Sequence, residues 1–173
     1  MESKRYYSVG AETEVGKKLK AFFEKCVEVE LQTKNWVRAQ GADEYIESPF
    51  GLIGGVAALY FKGCKEKEGY EAHKQGTRET VFVPLPDSEL EKEMLALPMV
   101  KDTELISILK FKPHMGKDGK PLPFTFGGMT PTLFPLKRRW YFAVPYECEV
   151  EGLKELTPGL FERRKLQALA ESR

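Results

Sequence analysis

The sequence predicts an α+β fold: a single domain over residues 1–173, with a mainly antiparallel sheet packed against a long N-terminal helix and further helices covering the rest. Three observations predict it. Val15 to Gln40 carries a long amphipathic stripe. Pro49 to Phe61, PFGLIGGVAALYF, is the longest apolar run of a charge-rich chain. It falls short of the about 20 apolar residues that a bilayer crossing needs, so it belongs to a core. Strands and helices do not alternate in the regular order of a doubly wound parallel sheet.

In the first helix, Val15, Leu19, Phe22, Cys26 and Val29 recur at spacings of four and three, and Trp36 continues the stripe. That spacing keeps one face apolar. Thr13 is placed to cap its start and Gly41 its end. Ser48-Pro49 breaks the chain, and Val56 to Phe61 reads as a central strand entered through Gly54-Gly55. Lys62 to Arg78 is polar and Gly-punctuated and reads as an exposed loop. Thr80 to Val83 is a short strand ended by prolines.

Asp87 to Leu97 reads as a helix, with Ser88 and Glu91 at capping-box spacing and Leu90, Met94 and Leu97 inward. Pro98 stops it, and Asp102 opens a second helix to about Leu109. HMGKDGKPLP, from His114 to Pro123, reads as a hairpin tip. Phe124 to Phe126 and Arg138 to Val144 read as strands, the second with Trp140, Phe142 and Val144 on one face and Arg139, Tyr141 and Ala143 on the other. Thr157 caps a last helix whose first residue is Pro158.

Composition bounds the chemistry. A chain of 173 residues with 42% apolar and 12% aromatic residues builds a packed core. Its 27 basic and 26 acidic residues leave a net charge of +1, without the basic excess of a dedicated nucleic-acid binder. Cys26, Cys64 and Cys148 are widely spaced and show no metal-ligand pattern, so the expectation is reduced thiols and no structural metal. MESKRYYSVG carries no apolar stretch, so no secretory leader is expected.

No nucleophile elbow, P-loop, HExxH or dinucleotide fingerprint is present. Cys64, beside lysines, is the one thiol with an activating neighbourhood. Cys148 is blunted by Glu147 and Glu149. His73 and His114 lie in polar loops and read as surface residues. Glu89 and Glu93 are spaced to share a ligand, but with Lys92 between them they read as a solvated face. The best ligand-binding constellation is Gly127, Gly128, Lys137, Arg138, Arg139, Trp140 and Tyr141. Its loop amides can cradle an anion, its cations suit phosphate or carboxylate, and its rings can stack a base. A lysine- and arginine-protected strand edge is the competing reading. Arg163, Arg164 and Lys165 on the last helix would join this set if that helix packs beside the strand.

Several features in order resemble a family of small uncharacterised proteins, of unknown domain function, encoded by tailed phages and prophages of bacteria. They are the helix start Gly16-Lys17-Lys18-Leu19, the apolar segment with Gly54-Gly55 ending at Phe61, and the Leu97-Pro98 stop. Glu104-Leu105 then leads to Phe111, an aromatic strand ends in Val144-Pro145, and a helix closes the chain. The Gly116 to Pro123 tip looks like an elaboration. The resemblance supplies no catalytic residues. It implies a bacterial host cytoplasm and an accessory or anti-defence role exercised by binding a host factor.

The sequence therefore leads to a non-enzymatic accessory protein that binds a host protein or a small anionic ligand, with no cofactor, metal or membrane partner. The alternative is a nucleic-acid or nucleotide binder using the basic-aromatic strand with Arg163, Arg164 and Lys165. A third reading is an enzyme using Cys64, His73 or His114.

Overall fold

The computed structural model describes residues 4–42, 44–47, 56–60, 69–73, 80–124 and 132–172. The chain is α+β. In order its elements are β1 (Arg5–Gly10), α1 (Glu14–Ala39), β2 (Glu44–Glu47), β3 (Val56–Tyr60), β4 (Gly69–His73), β5 (Thr80–Pro84), α2 (Glu89–Leu95), α3 (Asp102–Leu109), β6 (Thr132–Leu136), β7 (Arg139–Val144), β8 (Lys154–Glu155) and α4 (Pro158–Glu171). Among the described residues every strand pair is antiparallel. The chain gathers into two compact units, unit 1 being Met1–Glu24 with Thr103–Arg173 and unit 2 being Lys25–Asp102. Helix α1 starts in the first and ends in the second.

Both ends of α1 are held as the sequence predicts. The Thr13 Oγ1 accepts the Gly16 N–H at 3.0 Å, satisfying one of the donors that a helix start leaves open. At the far end the Gly41 N–H donates to the Arg38 carbonyl and the Ala42 N–H to the Val37 carbonyl. With Gly41 at φ 79°, this is a Schellman cap, and Val37 and Ala42 share one apolar cluster across it. Leu19, Phe22, Val29 and Val37 are buried along the expected stripe. Thr33 joins them by donating its hydroxyl back to the Val29 carbonyl at 2.9 Å. Gly16 is also buried, and a Cβ there would run into the Gly10 carbonyl and the Ala11 backbone.

Unit 1 is built on the sheet β6-β7-β1-β8. Tyr7 pairs with Phe142 and Val9 with Trp140 on one face, where Phe23 of α1 lies 5.3 Å from the Trp140 ring. On the other face Phe161 of α4 clusters with Tyr141, Ala143 and Leu136 and lies 4.9 Å from the Tyr6 ring. Residues Trp140 to Val144 are all buried, because β7 is a central strand with a helix over each face.

Unit 2 is built on the sheet β2-β3-β5-β4. Val37, Ala42, Phe82, Leu90 and Met94 form its buried cluster, with Trp36 and Leu97 against it. Ser88 caps α2 by accepting the Glu91 N–H at 3.2 Å, while the Glu91 carboxylate takes the Asp87 N–H rather than that of Ser88.

Three expectations are corrected. The single sheet drawn from Val56–Phe61, Thr80–Val83, Phe124–Phe126 and Arg138–Val144 divides between the two sheets, since β1 and β6 pair with β7, while β2 and β4 complete the other. The Lys62 to Arg78 stretch contains the strand β4, paired residue by residue with β5. Phe124 lies outside any strand and instead packs its ring on Phe111 and Tyr146, while 125–126 lie outside the described residues. So do Gly54 and Gly55.

Candidate functional site

Of the constellation expected around residues 127–141, Lys137 to Tyr141 lie among the described residues. Gly127 and Gly128 lie outside the described residues. Lys137 and Arg138 form the exposed turn between β6 and β7, Lys137 at φ 56°. The Arg138 carbonyl accepts the Ala11 N–H at 2.8 Å, which ties this turn to the loop before α1. The Arg139 guanidinium folds across to β1, where its Nε and Nη2 each donate to Ser8 Oγ at 3.1 Å. That interaction satisfies a hydroxyl only 1% exposed.

Trp140 and Tyr141 are core residues, 5% and 8% exposed. The expectation that they stack a base is corrected by the second layer on each face. Phe23 covers Trp140, and Phe134 stacks on Tyr141 at 5.3 Å and 8°. Helix α4 packs on β6 and β1 over the sheet face that also carries Arg139, so it does lie beside the strand. Arg163 is exposed, Arg164 and Lys165 are half-buried, and Arg164 Nη1 donates to Gln167 Oε1 at 3.3 Å.

Cys64 lies outside the described residues. Cys26 is half-buried on α1. The Cys148 thiol is pushed up from 9.0 to about 12, chiefly by burial and next by the Glu147 charge. Sequence reasoning found the smaller of these causes. The Cys148 N–H donates to Tyr7 Oη at 3.3 Å, and burial raises the pKa of that phenol too. His73 sits on β4, and its side chain lies outside the described set. His114 is exposed, its ring 5.3 Å from Tyr146. Glu89 pairs with Lys92 at 3.3 Å on a solvated face. Among the described residues no three His, Cys, Asp or Glu side chains gather as a metal set, and no helix is long and apolar enough to cross a membrane.

Two surfaces stand out that sequence reasoning did not single out. In unit 2, Leu95 is 73% exposed, with Leu85 at 44% before α2 and Met99 at 40% after it. In unit 1, Lys110, Lys112, Lys117 and Lys120 are exposed along one hairpin arm. The lysine spacing is readable in KFKPHMGKDGK, while the Met115–Pro121 bridge that closes the arm is seen only in the structure. No family model, curated protein or solved structure matches the chain.

Proposed function

We propose that the chain is a non-enzymatic accessory protein of the phage type that binds a host protein through unit 2, anti-defence activity being the setting this reading favours. One observation carries it: unit 2 leaves large apolar side chains in water. Val27 and Leu31, one helical turn apart on α1, are 51% and 56% exposed, and Tyr70 on β4 is 49% exposed, in addition to Leu85, Leu95 and Met99. Single exposed apolar residues are ordinary. Here Leu85 and Met99 flank the seven-residue helix α2, and Leu95 is its last residue. Burying one such side chain at an interface is worth about 1.5–3 kcal/mol. Glu89, Lys92 and Glu93 supply the charged rim that protein interfaces carry.

A small anionic ligand held at residues 127–141 has less support, because the rings that would stack on it are core. The test is affinity capture from host cells with the wild-type chain and with a Leu95→Gln, Met99→Gln variant. The reading expects one host protein in near-stoichiometric amount, lost with the variant while the melting temperature stays unchanged. Equal recovery by both chains would sink it.

A further inference from the structure

The hairpin arm of unit 1 has a built shape and carries four lysines against one aspartate, with Glu147 and Glu149 on the segment its base pairs with. Met115 bridges Pro121, the Gly116 N–H donates to the Lys120 carbonyl at 2.8 Å, and the Leu122 N–H donates to the His114 carbonyl at 2.7 Å. Gly119 turns the chain at φ 75°, and Asp118 Oδ1 accepts the Lys120 N–H at 3.0 Å. The tip is thus a closed two-stranded ribbon whose one carboxylate is engaged by its own backbone.

Its base is anchored as well. Phe111 bridges Cys148, the Lys112 N–H donates to the Glu147 carbonyl, and the Glu149 N–H donates to the Lys110 carbonyl. Phe111, Phe124 and Tyr146 pack ring on ring beneath it. Of the arm's lysines, Lys112 lies 3.7 Å from Glu147, and Lys110, Lys117 and Lys120 form no ion pair among the described residues.

We propose that this arm, the hairpin 114–122 with Lys110 and Lys112 at its base, binds duplex DNA, the four lysines meeting phosphates, Lys112 leaving Glu147 for one, while Met115 touches sugar and base edges. The inference is independent of the protein-binding reading, which concerns unit 2. Charge complementarity points to an anionic partner, and shape selects among such partners. A two-stranded ribbon has strands about 4.8 Å apart and enters the about 12 Å major groove of B-DNA. The deep, narrow major groove of duplex RNA does not admit it. The leading residues Lys117 and Asp118 are charged, which disfavours insertion into a bilayer. Met115, 58% exposed and on the opposite face of the hairpin from Leu122, supplies the apolar contact that groove binders make with thymine methyls and sugars.

The experiment is a fluorescence-anisotropy titration of a mixed-sequence DNA duplex with the full chain. With four phosphate contacts, affinity should fall roughly 100-fold between about 50 and about 200 mM salt. Lys117→Ala, Lys120→Ala should roughly halve the slope of log K against log salt. Both sites are exposed, and unchanged circular dichroism would show that the fold is kept. Arg163→Ala, Arg164→Ala should leave the slope as it is. The proposal is overturned by no binding at the lower salt, by a slope that falls with the α4 pair and not the ribbon pair, or by equal affinity for an RNA duplex. Binding confined to phosphatidylglycerol-containing vesicles or to a glutamate-rich peptide would overturn it in favour of a bilayer or an acidic protein.

Discussion

The sheet of unit 1 is roofed on both faces, by α1 over Trp140 and by α4 over Tyr141. Unit 2 gathers α1 and α2 around Phe82 and still leaves Leu85, Leu95 and Met99 in water. The difference lies in how much helix each core receives. Helix α4 has 14 residues and contributes Phe161 and Ala168 to the cluster on its face of the sheet. Helix α2 has seven residues and turns Leu90 and Met94 inward. A short helix buries one stripe and cannot screen the apolar residues at its ends. Unit 1 leaves outside four lysines of the arm 110–122 and single apolar side chains on that arm and on α4, among them Leu166 and Leu169; unit 2 leaves three apolar side chains in and beside one short helix.

The largest expected effects come from emptying each core. Phe142→Ala in unit 1 and Phe82→Ala in unit 2 remove rings 1% and 2% exposed. Each should cost about 3–5 kcal/mol in denaturant unfolding. The chain has two tryptophans, Trp140 in unit 1 and Trp36 in unit 2, so emission from Trp→Phe single-tryptophan backgrounds reports each unit separately. A loss below about 1 kcal/mol at either ring would break the account of that core.

Next come two glycines at close approaches. At Gly16 a new Cβ meets backbone, the Gly10 carbonyl and Ala11, which cannot swing aside. At Gly69 it meets the Phe82 ring and the Val83 carbonyl. Gly16→Ala and Gly69→Ala should each cost about 1–3 kcal/mol, although alanine is the better helix former at the first. Thermal melts read the outcome, and a stabilised Gly16→Ala chain would contradict the packing of α1 on its entry loop.

The remaining effect is alkaline, and it belongs to unit 1. Cys148 and Tyr7 both have raised pKa values, so the folded state holds their protons longer than the unfolded chain. Their contribution is fully present below the unfolded values and is lost as pH rises from about 9 toward about 12. Stability of wild type should fall more steeply across that window than stability of Cys148→Ala. Parallel curves would show that the thiol is not held protonated by the fold. In native protein the same thiol should react slowly with maleimide at pH 8 and quickly once unfolded.

Helix boundaries were legible where local chemistry writes them. Thr13, Gly41, Ser88 and Thr157 all cap helices at the positions their side chains or backbone freedom suit. Strand β3 was readable from its apolar run and is central in its sheet. Strands β1, β4 and β6 were not read. RYYSVG is short and starts with a charge, GYEAH is polar as edge strands are, and TLFPL contains Pro135, which argues against a strand until it is seen on the edge. Trp140 and Tyr141 are core rather than free to stack a ligand for a related reason. Alternation along β7 assigns Trp140 and Tyr141 to opposite faces, but nothing local tells that α4 arrives to cover the second one. The exposed apolar residues of unit 2 are a property of what α2 fails to cover, which no window of sequence displays.

The most direct test of this division is one capture experiment on three chains: wild type, Leu95→Gln with Met99→Gln, and Lys117→Ala with Lys120→Ala. Nuclease-treated host lysate removes the contribution of DNA. The account predicts that wild type and the lysine variant recover the same host protein in equal amount and that the Leu95, Met99 variant recovers none. Equal recovery by all three chains, or loss with the lysine pair alone, would contradict it.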